Sequence, residues 1–303
     1  MKLLKKLCSL QATAGNELAM KNFLIEWVKK ESVHWMTPPE IITGTELQDN
    51  VILKFGQPRT AVFAHMDSVG FTVRYHNQLI PIGQPAVKTG HELIGSDALG
   101  PIGCKLILDS KDQLTYEFGR VIERGTDLVF KCNFRDEGDY IQSCYLDNRL
   151  GMYSALQLAK TLTDGLLVFS CREEHGGGSV PMLVKYLYEN FQITQALISD
   201  ITWITDGIEH GKGVVISLRD AGIPTRSFIN QILEIADQSG IDYQREVEAS
   251  GSSDARELQA SPYPINWCFI GAAEDNVHSP DEKVHKYDIQ TMVNLYFQLM
   301  KNL

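Results

Sequence analysis

The sequence predicts an α/β protein, a mixed sheet layered by helices and interrupted by a small β-rich insert. Three observations carry that reading. Helix and strand patterns alternate over residues 1–70 and again over 144–303, the texture of a sheet covered by helices. Between them, over 71–143, short β-rich pieces alternate with Gly, Pro, Asn and Asp turns and show no helical period, as in a small barrel or sandwich. The apolar run Leu166-Leu167-Val168-Phe169 stops at Ser170-Cys171-Arg172-Glu173-Glu174-His175 and three glycines, a buried strand meeting its C-terminal edge. We therefore divide the chain into a discontinuous α/β domain, 1–70 with 144–303, and an inserted domain, 71–143.

Taken in order, residues 3–9 read as a short helix and 16–31 as an amphipathic one, with Leu18, Phe23, Leu24, Trp27 and Val28 on its stripe. Val51–Phe55 and Thr60–Ala64 read as strands, the second running into His65-Met66-Asp67. The insert carries strand-like pieces at 71–75, 79–82, 104–108, 114–118 and 128–130. Then follow helix 147–162, strand 166–171, helix 179–191, strands 195–199 and 213–218, helix 225–239, strand 265–270 and helix 286–302.

Composition narrows the function. The 303 residues are 44% hydrophobic and 22% charged, ordinary for a globular chain with one large core. A net charge of −10 argues against nucleic acid, which selects a basic face. Lys5 and Lys6 break the N-terminal leucines, so no secretory core is expected, and no stretch reaches membrane-spanning length. Six scattered cysteines without a Cys-x-x-Cys pair fit reduced thiols and a cytoplasmic protein.

The polar residues at strand ends carry the chemistry. Alone, each has an ordinary explanation. His65-x-Asp67 is a short motif of low specificity. Asp147 reads as an N-terminal helix acid, Asp200 as a turn residue closing a strand, and His278 as an exposed loop histidine. In an extended segment Glu173 and Glu174 would face opposite sides, leaving one to bind a metal and the other to act on a water beside it. Asp67, two residues from His65, would hold that ring as an outer partner. Taken together, His65, Asp147, Glu174, Asp200 and His278 supply two imidazoles and three carboxylates near element ends. Such a set holds two divalent ions roughly 3.5–4 Å apart. Nitrogen and oxygen donors without thiolate suit zinc, cobalt or manganese. A Gly-x-Ser-x-Gly elbow is absent, the Gly176–Gly178 run lacks the Lys-Ser/Thr of a phosphate loop, and a glycosidase reading leaves both histidines unused.

With these motifs in hand, the chain resembles the dinuclear metallo-aminopeptidases of the tetrahedral aminopeptidase and glutamyl aminopeptidase family, some of them once misnamed cellulases. The resemblance rests on Leu3–Leu7 with Gly15 and Glu17, Ala64–Phe71, Leu146–Gly151, Glu173-Glu174, Ser199–Thr202, Gly251–Ala255 and His278–Glu282, in the family's order over nearly the whole chain. It departs at Asn148, where the family commonly has a second aspartate. The resemblance implies a zinc-peptidase-like fold and a hydrolase that removes N-terminal residues from peptides. It implies Asp147 as the bridge between two metals, His65 and Asp200 on one, Glu174 and His278 on the other. Glu173 would be the general base for the bridging water, Asp67 the residue that orients His65, and zinc the first choice of metal. It further implies a homo-oligomer built through the insert. Asp254 is our candidate for the substrate's α-amine. A deacylase, a carboxypeptidase or a non-catalytic assembly protein on the same scaffold are the alternatives.

Overall fold

The computed structural model describes residues 1–110, 113–251 and 253–303. Among them, eleven strands form one mixed sheet and six form a second. Through the middle of the large sheet run four parallel strands in the order Gly165–Ser170, Thr60–His65, Gln195–Trp203 and Asn266–Asp275. Antiparallel strands flank this parallel centre on both sides.

Residues of the central strands alternate between two cores, as the period of two requires when both faces are buried. Val62, Ala64, Leu167 and Phe169 pack under the helices Lys2–Cys8 and Leu18–Glu31, together with Leu146–Leu158, Arg226–Ser239 and Lys286–Asn302. Ala61, Phe63, Leu166 and Val168 face the other way, against Val180–Phe191 and Asp254–Ala260. The result is a helix–sheet–helix sandwich.

The second sheet runs in the order Leu79–Ile82, Gly70–Val73, Asp127–Phe130, Glu92–Asp97, Gly100–Leu108 and Leu114–Glu117. A bridge between Gln78 and Thr115 joins its two edges, so the sheet curls on itself. Phe71, Tyr116 and Phe130 fill its core, with Phe71 and Phe130 edge to face at 5.6 Å. Tyr75 is exposed. The β-rich run of 71–143 is shared between the sheets, because Arg135–Glu137 and Tyr140–Ser143 pair within the large one.

The structure departs from the expected elements in three instructive places. The strand expected to end near Asp200 continues to Trp203, since it pairs with Asn266–Asp275 over its full length. Glu173–His175 is a 3-10 turn, not an extended segment. The strand Tyr243–Val247 and the helix Asp254–Ala260 have no counterpart among the expected elements; the first is an edge strand rich in polar residues, the second only seven residues long.

The helix Leu146–Leu158 crosses the large sheet closely at Gly151. A Cβ there would overlap the Ser199 carbonyl oxygen and the Asn148 amide. Gly151→Ala should therefore cost about 1–3 kcal/mol through overpacking. Urea unfolding measures it, and an unchanged midpoint would show that the helix can shift away freely.

Candidate functional site

Parallel strands put their C-terminal ends on one edge, where open α/β sheets gather ligands. His65 lies level with Ser170. Phe63 lies level with Ile198, so two residues on, His65 and Asp200 share a level and a face. Asp147 comes from the start of the helix Leu146–Leu158, whose first residues depart from helical geometry. Glu173 and Glu174 follow the strand Gly165–Ser170, and His278 stands in the loop after Asn266–Asp275.

The Asp147 carboxylate faces two imidazoles. Its Oδ1 is 3.1 Å from His65 Nε2, and its Oδ2 is 3.3 Å from His278 Nε2. Asp200 Oδ2 is 3.7 Å from His65 Nε2, while Glu174 Oε2 is 3.2 Å from His278 Nε2. Two donor triads result, His65–Asp147–Asp200 and Asp147–Glu174–His278, each able to close around one ion. Glu173 stands slightly back, with Oε2 4.0 Å from His65 Nε2.

The surroundings hold these groups by their backbones. Asp67 accepts the N–H groups of Glu173 and Glu174, each at 3.0 Å, and lies 3.5 Å from His65 Nδ1. Glu17 accepts the N–H of Arg172 at 3.1 Å. Buried Arg149 donates to the carbonyls of Met66 and Asp67. Glu282 accepts the N–H of His278 at 2.9 Å and of Asp147 at 3.3 Å, so one side chain sets two candidate ligands. The Gln84 carbonyl lies 3.1 Å from His278 Nδ1, which leaves Nε2 to face the carboxylates. The sequence alone assigns no site role to Glu282, Arg149 or Gln84. Glu282 and Arg149 carry a signal, their places in the His278–Glu282 and Leu146–Gly151 motifs; Gln84 carries none.

Asp254 opens the short helix Asp254–Ala260. It is 2% exposed, accepts from Ser170 Oγ at 2.5 Å, and is absent from the described lining of the cavity beside the site. Its partner Ser170 is level with His65 on the neighbouring strand, so Asp254 is tied to the strands that carry the site. Ser252, quoted in the same motif, lies outside the described residues.

Electrostatics fit a cation site. Burial pushes the Glu173, Glu174 and Asp200 carboxyls up, and neighbouring carboxylates push further. Burial opposes charge on His278, yet hydrogen bonds to Asp147 and Glu174 carry it up to about 12. His65 likewise is raised against its own burial by Asp200, Asp147 and Asp67. Buried carboxylates this crowded need positive charge among them. Glu174 Oε1 has no hydrogen-bond partner. Donor set, spacing and charge all fit divalent ions.

Residues 104–295 match the M42 glutamyl aminopeptidase family. A protein of Acetivibrio thermocellus that carries a provisional aminopeptidase name is 25% identical over 97% of this chain and 96% of its own. An aminopeptidase of the archaeon Desulfurococcus kamchatkensis superposes with a TM-score of 0.87 at 21% identity, covering 100% of this chain and 94% of that one. A Pyrococcus horikoshii peptidase, described as assembling into a tetrahedron or a large octahedral shell, gives 0.84 at 20% identity over 99% and 98%. With the match extending over most of its length, the chain belongs to the M42 glutamyl aminopeptidase family of peptide hydrolases.

Proposed function

We propose that the protein is a cocatalytic dinuclear metallo-aminopeptidase. The observation that carries this reading is Asp147, whose two oxygens each face a different histidine while Asp200 and Glu174 complete two triads. His65, Asp147 and Asp200 would hold one ion and Asp147, Glu174 and His278 the other. Two divalent cations, zinc foremost and cobalt or manganese as alternatives, would lower the pKa of a water and polarise the peptide carbonyl.

The chain's own residues do the rest. Glu173 takes the proton of the attacking water and returns it to the leaving amine. Burial pushes its carboxyl up, against the opposing pull of His65. Asp67 keeps Glu173 and Glu174 in one turn and steadies the His65 ring. Glu173 and Asp200 supply negative charge for the substrate's free α-amine. We also read the curled second sheet as the core of an inserted domain used for self-association, with exposed Tyr75, Leu99 and Val121 as surface apolar residues.

Three outcomes are expected. Elemental analysis should find close to two divalent ions per chain, and chelation should abolish activity. Glu173→Gln should retain both ions while kcat falls about 10²–10⁴-fold, whereas Glu174→Gln should lose metal; the opposite pattern would exchange their roles, and full activity in chelator would sink the site.

Second, short peptides with a free N-terminus should release their first residue, and their N-acetyl forms should be nearly inert, since an acylated nitrogen loses its buried polar contact. Mass spectrometry identifies the product. Release of acetate would indicate a deacylase, and release of the last residue a carboxypeptidase. Third, light scattering at micromolar concentration should find an oligomer; a monomer would reject self-association.

A further inference from the structure

The cavity beside the site has a volume of about 740 Å³ and extends from the His65–Asp147–His278 cluster to a second group of carboxylates. Asp220, Glu246, Glu248 and Glu257 line it there. Glu246 is only 4% exposed and accepts from Thr202 Oγ1. None of the four takes part in an ion pair among the described residues. Arg256 is the one lysine or arginine on the described lining, and it is exposed. A buried carboxylate without a counter-charge is costly unless something cationic meets it.

The position of Glu246 points the same way. Asp200 and Thr202 lie two apart on one strand and point to the same side, about 6.6–6.8 Å apart along it. Thr202 touches Glu246, so the buried carboxylate sits against the residue one such step along the strand from Asp200. The four-carbon stem of a lysyl side chain spans a distance of this order. Burial, then Asp220 and Glu248, pushes the Glu246 carboxyl up, which an ammonium or guanidinium would reverse.

We propose that this wall selects a cationic N-terminal residue, lysine or arginine, with Glu246 as the principal determinant and Glu248 as its support. The inference rests on the aminopeptidase reading and names its substrate class. An acidic first residue would meet like charges, and a neutral one would leave Glu246 without a counter-charge.

The test uses metal-loaded, full-length protein and amides of lysine, arginine, norleucine and glutamate. Norleucine matches the lysine stem without its charge. The kcat/KM for lysine should exceed that for norleucine by on the order of tenfold or more, as loss of a charged hydrogen bond implies, with glutamate lowest. Glu246→Gln should collapse the lysine-to-norleucine ratio, and Glu248→Gln, at a less buried position, should lower it if the first variant fails to fold. Calorimetric binding of lysinamide against norleucinamide gives the same comparison without turnover. Cleavage of norleucine or glutamate amides in preference, or ratios and binding unmoved by both variants, would overturn the proposal. Absence of N-terminal cleavage alongside charge-selective binding would overturn only the aminopeptidase reading.

Discussion

A single carboxylate, Asp147, stands between two imidazoles, and the fold around it is arranged to make that possible. Neither histidine is near the other in sequence, and they reach Asp147 from different strands of the parallel centre. His65 ends one central strand, while His278 comes from the loop beyond another. Parallel pairing matters because it brings strand ends that carry His65, Asp200 and the Glu173 turn to one edge. An antiparallel arrangement would divide them between two edges.

Holding so many carboxylates together requires backbone anchors. Asp67 ties the Glu173 turn to the His65 strand, and Glu282 ties His278 to Asp147. Both anchors are themselves acidic, and burial, then Asp147, push the Glu282 carboxyl well up. Burial, and then Glu282, push the Glu274 carboxyl well up, and both its oxygens lack a hydrogen bond. Carboxyl groups crowded and buried in this way are costly to fold, and a cation among them would offset that cost.

Much of this is legible in the sequence, for reasons that differ by residue. The central strands are plain because burial on both faces leaves nearly unbroken apolar runs, as in Leu166–Phe169. His65, Asp147, Glu174, Asp200 and His278 stand out because they are polar residues gathered at or near the ends of such elements. The carboxylates' directions are not legible: the alternation argued for Glu173 and Glu174 assumes extended backbone, whereas the pair lies in a 3-10 turn. For Asp254, likewise, the motif gives proximity to the site but not the side it faces. Edge elements such as Tyr243–Val247 lack a pattern because only part of each is buried.

Asn148 shows how a departure from the family pattern is absorbed. Its Nδ2 donates to the Ser199 carbonyl at 2.9 Å, and its Oδ1 accepts from the Gly151 N–H at 2.8 Å. An ionised carboxylate has no donor for the first of these bonds. The amide thus joins the helix that carries Asp147 to the strand that carries Asp200, through the residue just before Asp200. It also brings no further negative charge to a cluster already crowded with it. At this position the neutral side chain serves geometry and electrostatics together, and Asp147 beside it keeps its place between the two imidazoles.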